Sequence, residues 1–384
     1  MINNQKAATV PTGQGKIATR SQGKVFMSKK QIIPIAPSHP PDMRHEHRTK
    51  STKPTLKTIA ELSGLAVPTV SRALKDAPDI SQNTKRRVRE VADKIGYVPH
   101  HAGVRLRTGR TFVISLVLST RNEMMNHTAR LMSAIVKVLR NTPYHLVITP
   151  FFPDEDPMKP VRYLVENGAA DAMILNETTP DDPRVAYLME QHFPFATHGR
   201  NRYCEQHAYF DYDNSSYGHL AIEVFAKRGR QHIWMIAPPH NQNYALNMSE
   251  GAQQAGQVHQ LTLHLSQHIT SDHSITDVTT EVTRLLQTHP TIDAFVCPSA
   301  SCAIGVAAAV EAMGKTIGTD IDIVVKEVIP FLKLFRPKIL VMQEDVAAAG
   351  EWLCKAVLQA IEYPELPPLQ KMEVPHWDEL KSQL

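Results

Sequence analysis

Cysteine is scarce in this chain. The four present, Cys204, Cys297, Cys302 and Cys354, include no CxxC pair. That speaks against a zinc knuckle and against a disulfide framework, and leaves reduced thiols as the plain reading. Long apolar runs are also missing: none approaches the ~20 residues of a membrane-spanning helix. The opening stretch MINNQKAATVPTGQGK has no apolar segment of the kind that marks a secretory signal. A cytoplasmic protein that does not engage membranes is expected. No GxSxG elbow, P-loop or HExxH pair occurs, so nothing in the motifs argues for an enzyme. Histidines number 19, and His45 and His47 flank Glu46, but no second ligand pair follows at metal spacing. Neither a metal nor a cofactor is expected.

A modest net charge of +4 conceals a strong segregation. Residues 50–110 hold 13 Lys+Arg against 5 Asp+Glu, and residues 1–49 hold 8 against 2. Residues 111–384 hold 21 against 31. A basic front on an acidic body is the electrostatic footprint of a duplex-binding head.

The front has helix punctuation at telling positions. A short helix over 58–63 offers Ile59, Ala60 and Leu62 as apolar positions and stops at Gly64, where glycine tolerates the left-handed conformation. Pro68 suits the first turn of a second helix, over 68–75, because its missing N–H would be unpaired there anyway. Val70 and Leu74 face inward on that helix and leave Thr69, Arg72 and Lys75 for another surface. A third helix over 79–95 carries the stripe Val88, Val91, Ala92 and Ile95. Two short helices joined by a tight glycine turn make a helix-turn-helix, whose second helix enters the major groove.

TIAELSGLAVPTVSRAL, KRRVREVADKIGYVP and HHAGVRLRTGRT stand in that order and spacing. In them the chain resembles the head and hinge of the LacI/GalR family of bacterial transcriptional regulators. The resemblance implies a homodimer that reads a pseudo-palindromic operator in double-stranded DNA. The matching DNA-binding positions are Thr58, Val67, Pro68, Thr69, Ser71 and Arg72. Arg72 is the leading candidate for base readout, since a guanidinium pairs with guanine O6 and N7 together. Thr84, Lys85 and Arg87 are expected at backbone phosphates. Where family members often have Ser, this chain has Ala66, which cannot cap the recognition helix. The hinge, 99–110, carries Leu106 where the family wedges a leucine into the minor groove.

From residue 111 strands and helices alternate. Strands are expected over 112–118, 145–150, 171–175, 194–198, 232–236, 261–265, 294–297 and 321–325, with helices between them and a late one over 346–361. Repeated βα units in two series predict two parallel-sheet subdomains with a crevice between them. The fold class is therefore α/β. A three-helix helix-turn-helix head (53–98) and hinge (99–110) precede a two-subdomain, doubly wound effector-binding core (111–375) and a tail (376–384). The family resemblance spans 53 to about 375. Residues 1–52 lack apolar periodicity, and a disordered leader is expected. Two accounts of it stay open: a flexible basic arm, or translation that starts at Met27 or Met43.

Ligands in open α/β sheets bind beyond the carboxyl ends of strands. That rule selects Asn122, Asn176, Arg200, Ser299 and Glu327 as effector-binding candidates, with Lys326 beside the last. Asp211 and Asp213 stand near the crossing between subdomains, as ligand contacts or as caps for the helix from Asn214. The chain departs from the common sugar-binding pattern at Leu246, often Arg, and at Ser299 and Ala300, often Asn-Asp. It departs again at 325–328, where a Gly-aromatic-Asp-Asp turn is usual. A sugar-like small molecule remains the expected effector. A larger glycoside, another hydroxylated metabolite, an acidic ligand read by Arg200 and Lys326, or loss of effector response are all open. If Leu106 is the wedge, Leu106→Ala should weaken operator binding far more than binding to random duplex in a gel-shift comparison. Equal losses on both would remove the assignment.

Overall fold

The computed structural model describes residues 54–97, 109–120, 125–152, 154–328, 331–375 and 380. The expected leader, most of the hinge with Leu106, Asn122, and all of the tail but Leu380 lie outside the described residues. The chain divides after Tyr97 into two compact units.

The first unit is three helices: α1 (Leu56–Ser63), α2 (Val67–Leu74) and α3 (Gln82–Lys94). Thr55 and Thr58 close a reciprocal capping box on α1, which moves its start ahead of the expected residue 58. Gly64 ends α1 at φ 65. α3 begins after Ser81, whose hydroxyl accepts from Thr84 N (3.2 Å); Asp79 and Ile80, expected inside the helix, belong to the preceding turn. Ile59, Ala60, Val70, Ala73, Val88 and Ala92 form the core. Leu62, expected inward, is 59% exposed because Ser63 takes the inner position. With so few apolar residues, each counts: emptying the fully buried Ile59 site costs about 2–5 kcal/mol, most of the stability such a small unit holds.

The second unit contains two parallel sheets. The first subdomain runs β1 (Val113–Ser119), α4 (Met125–Leu139), β2 (His145–Phe151), α5 (Met158–Glu166), β3 (Ala172–Leu175), α6 (Pro183–Glu190), β4 (Phe195–His198) and β5 (Ala208–Tyr212). The second runs α7 (Asn214–Lys227), β6 (His232–Met235), α8 (Asn243–Val258), β7 (Thr262–Leu265), α9 (Ile275–Thr288), β8 (Ala294–Cys297), α10 (Ala300–Ala312), β9 (Asp322–Glu327), α11 (Leu332–Phe335) and β10 (Leu340–Gln343). The chain then returns to the first subdomain with α12 (Val346–Glu362) and β11 (Gln370–Glu373). Sheet orders are β11-β5-β4-β3-β1-β2 and β10-β9-β8-β6-β7. Each order reverses beside its first strand, the switch point where a crevice opens.

Both subdomains anchor their first strand alike. Asp171, just before β3, accepts from Thr111 N and Phe112 N at 2.7 and 2.9 Å. Asp293, just before β8, accepts from Gln231 N and His232 N at 2.8 and 2.9 Å. β1 starts one residue later than expected, because Phe112 has a left-handed φ of 56°. β5, β10 and β11 were not expected from the sequence, and they are the strands that flank the crossings. There Asp213 N donates to Glu373 O (2.7 Å) and Asp345 N to Glu373 Oε1 (3.1 Å), so one glutamate ties the crossing segments together. Leu380, expected in a tail, is fully buried in the second subdomain's core.

α7 and α8 approach so closely that a Cβ on Gly218 would collide with the Met248 carbonyl, and one on Gly251 with that of Ser215. Gly251→Ala should therefore overpack this contact, cost about 1–3 kcal/mol and lower the core's thermal midpoint by several degrees. Circular dichroism melting checks this; an unchanged midpoint would mean the helices have room to spare.

Candidate nucleic-acid interface and ligand cavity

In the first unit, Val67 and Pro68 open α2 and are exposed, as are Arg72 and, on α3, Arg87. Thr69, Ser71, Thr58 and Thr84 are half-buried. Ala66 sits at the cap of α2 with no side-chain hydrogen bond, which leaves the amino end of the recognition helix open. Two of the cations expected at DNA are already engaged. Arg72 pairs with Asp79 in the turn before α3. Lys85, expected at a phosphate, is buried: its Nζ donates to Asp76 O at 3.1 Å and stands 3.2 Å from the Asp76 carboxylate. Arg89 joins the same carboxylate (2.8 Å). The hydrogen bond from Lys85, and then its charge, hold the Asp76 pKa below the usual value. The bonds fasten a residue at the strained φ of 60°. Lys85 is thus a brace for the turn between α2 and α3, whereas Arg87 stays exposed.

In the second unit, a cavity of about 480 Å³ lies between the carboxyl ends of the two sheets. Asn176–Thr178 follow β3, and His198–Gly199 end β4. Pro298–Ser301 follow β8, Lys326 and Glu327 end β9, and Glu344 follows β10. Tyr212 and Tyr244 add aromatic walls. The loop after β3 is clamped from below. The buried Arg184 Nη2 donates to Asn176 O and Glu177 O (3.0 Å each) and to Asp182 (2.7 Å). This holds Glu177 at a left-handed φ of 51°. Hydrogen bonds also span the two subdomains. Asn243 N donates to Thr178 O (2.8 Å), its Nδ2 to Arg200 O (2.9 Å), and Gln242 Nε2 to Glu177 Oε2 (3.2 Å).

The candidates separate here. Asn176 is buried on the cavity wall, and its Oδ1 has no hydrogen-bond partner among the described residues, so a ligand hydroxyl would satisfy it. Ser299 lines the cavity while its hydroxyl caps α10 through Cys302 N (3.3 Å). Glu327 lines it too, but Oε1 accepts from Phe331 N and Leu332 N (2.8 and 2.9 Å). Burial raises the pKa of Glu327. Arg200 is not on the cavity wall: its guanidinium is spent on Asp211 (2.7 Å). Asp213 caps α7 through Ser216 N (3.1 Å), which settles its role as a cap. Leu246 is exposed away from the wall. His127, His198, Glu344 and Tyr244, which sequence reasoning missed, do line the cavity; they come from distant segments with no motif spacing.

Comparison with known proteins fits this geometry. Residues 114–363 match the family described as periplasmic binding proteins and sugar binding domain of LacI family, and residues 55–100 match bacterial regulatory proteins, lacI family. The chain belongs to the LacI family. Its relatives include the HTH-type transcriptional regulator AglR of Rhizobium meliloti (strain 1021), 28% identical with 81% of this chain and 90% of that one covered. RafR of Escherichia coli is 31% identical over 51% of this chain and 59% of its own. Similar solved structures include the Lac repressor dimer bound to operator and the anti-inducer ONPF, with TM-score 0.73, 17% identity, and 84% and 97% coverage. The CelR–cellobiose complex has TM-score 0.60, 20% identity, and 84% and 98% coverage. This LacI-family protein is thus a helix-turn-helix transcriptional regulator with a sugar-binding-type domain. Among the described residues, no helix is long and apolar enough to cross a membrane.

For this regulator to read a base with Arg72, the guanidinium must exchange Asp79 for a guanine edge. Arg72→Ala should then relax preference at one base pair per half-site, by about 1–3 kcal/mol of discrimination. A randomised-site selection checks this, and an unchanged site preference would show that Arg72 stays with Asp79 on DNA.

Proposed function

We propose that this LacI-family regulator acts in the cytoplasm as a homodimeric repressor on a pseudo-palindromic operator, released by a neutral, hydroxyl-rich glycoside. One observation carries the choice of ligand. Among the described residues, the cavity is lined by the carboxylates of Glu177, Asp211, Asp272, Glu327 and Glu344 against a single ammonium, Lys326. Lys326 is held by Glu344 (2.9 Å), and the nearby Arg200 by Asp211 (2.7 Å). Among the described residues no cation is left over to read an acidic effector, and like charges in a crevice repel one. Hydroxyls, by contrast, find an open acceptor at Asn176. The volume falls within the usual range for ligand pockets, roughly 300–1,000 Å³. The cellobiose carried by the CelR structure supports a glycoside as the class.

DNA readout falls to Val67, Pro68, Thr69, Ser71 and Arg72. Thr58, Thr84 and Arg87 meet phosphate, and Leu106 is the minor-groove wedge. Dimerisation is supported by the free edge of the first sheet, where β2 exposes Val147 and Ile148 beside Val136 of α4. Ligand closure of the core and operator binding are reciprocal: whatever weakens DNA binding is itself bound less tightly on DNA.

Selection of bound sites from random duplexes, repeated with neutral glycosides, sugar phosphates and uronic acids, tests this reading. A palindrome lost with one neutral glycoside is the expected result. Release by an acidic sugar would overturn the neutral ligand, and a palindrome indifferent to every compound would overturn ligand control.

A further inference from the structure

Three donor groups from remote parts of the chain converge on the cavity wall. His127 lies in the first turn of α4, His198 ends β4, and Glu344 follows β10. His127 Nε2 and His198 Nε2 each stand 3.8 Å from Glu344 Oε1. One donor atom from each of the three lies within 4.8 Å of the others, and the two rings are 5.0 Å apart. At 3.8 Å neither imidazole is hydrogen-bonded to the carboxylate, so the trio is not held by bonds of its own. Among the described residues, His127 Nδ1 is buried without a hydrogen-bond partner, so the tautomer of His127 is not fixed.

We infer that His127, His198 and Glu344 form a site for a divalent transition ion of the zinc class, with its fourth position open to a hydroxyl of the bound ligand or to water. Two imidazoles and one carboxylate are a donor set of zinc sites that keep an open position. Metal–donor bonds of about 2.0–2.1 Å place neighbouring donors roughly 3.4 Å apart, so the two imidazole–carboxylate spacings of 3.8 Å need to contract by about half an ångström and the third, within 4.8 Å, by at most about 1.4 Å.

The protonation states suit coordination. Burial, and then the neighbouring His127, drive the His198 pKa down to about 3, so its ring is neutral with a lone pair to give. For Glu344 burial works against ionisation, but the ammonium of Lys326 outweighs it and holds the group well below the usual carboxylate range. Lys326 takes Oε2 (2.9 Å) and leaves Oε1 facing the rings, which orients the ligand oxygen as an outer-shell partner does. Its positive charge also lowers affinity for a cation, while Glu177, Asp211, Asp272 and Glu327 around the cavity raise it.

Position gives the site a regulatory meaning. His127 and His198 belong to the first subdomain, whereas Glu344 starts the return crossing and is tied through Lys326 to β9 of the second. An ion there would pin the cleft across its seam, so its occupancy would couple to ligand and operator affinity.

The test is a titration of the chelator-treated full chain with Co²⁺, read by the visible d–d absorption of tetrahedral cobalt. The expected result is one equivalent with that absorption, displaced by Zn²⁺. Binding should weaken at least ~100-fold in His198→Gln and in His127→Gln, beyond the loss usual for outer-shell changes. His127 is the less buried of the two histidines, so His127→Gln keeps the test available if His198→Gln does not fold. His264→Gln, which removes a stacked ring near Trp234 elsewhere in the core, should leave the spectrum intact. His45 and His47 are present in every variant and cancel in the comparison. Equal cobalt binding by wild type and His127→Gln, or no tetrahedral spectrum at all, would overturn the site. The readout involves neither operator nor glycoside, so its failure and that of the repressor reading are distinguishable.

Discussion

The ion pair between Lys326 and Glu344 fixes the seam of the core. Nearly buried charges need partners, and removing one member of such a pair costs roughly 3–5 kcal/mol. The ammonium also meets Asn214 Oδ1 at 3.1 Å and lies over the rings of Tyr212 and Tyr244 at 4.9 and 5.6 Å. It therefore touches the end of β5, the start of α7 and the segment that follows β10. Two of the connections between the subdomains are thus braced by one side chain. Because Lys326 is committed in this way, the described residues of the cavity have no cation to spare, and Glu344 keeps its negative charge in a place where burial alone would neutralise it.

Closure of the cleft is correspondingly shallow. Asn243 and Gln242 contribute three hydrogen bonds across it, each worth about 0.5–1.5 kcal/mol net. A ligand shifts such an equilibrium only by its differential affinity for the two arrangements. A few hydroxyl contacts to Asn176 and its neighbours are of the right size to tip it. The clamp of Arg184 beneath Asn176 and Glu177 keeps those acceptors in position and spares the ligand the work of ordering them.

Much of the architecture was legible because local chemistry marks it. Gly64, Pro68 and the apolar stripe of α3 define the head, and the alternation of apolar runs with helical segments defines the core. One strand that escaped is atypical: β11 reads QKME, an exposed polar edge. The candidate site was legible only in outline. The rule about strand ends led to residues that line the cavity, Asn176, Ser299 and Glu327 among them. It said nothing of charge partners. Arg200 and Asp211 are eleven residues apart, Arg72 and Asp79 seven, and Lys326 and Glu344 eighteen, and no periodicity connects them. The burial of Lys85 was hidden for a related reason, since its long apolar stem can cross a core and deliver the ammonium to the far side.

The return of the chain to its first subdomain sets an order of events during synthesis. Val346, Leu353 and Val357 of α12 complete the core around Leu131 and Ile135 of α4, and β11 closes the edge at β5. When Tyr212 has been made, some 130 residues remain before Val346 exists. At about 5–20 residues per second that interval is roughly 7–27 s. Throughout it, one face of α4 and the outer edge of β5 have no native partner, while the helices of the head, wholly local in their contacts, can already be folded. The second subdomain is thus nearly finished before the first, which began earlier, can be completed on the ribosome.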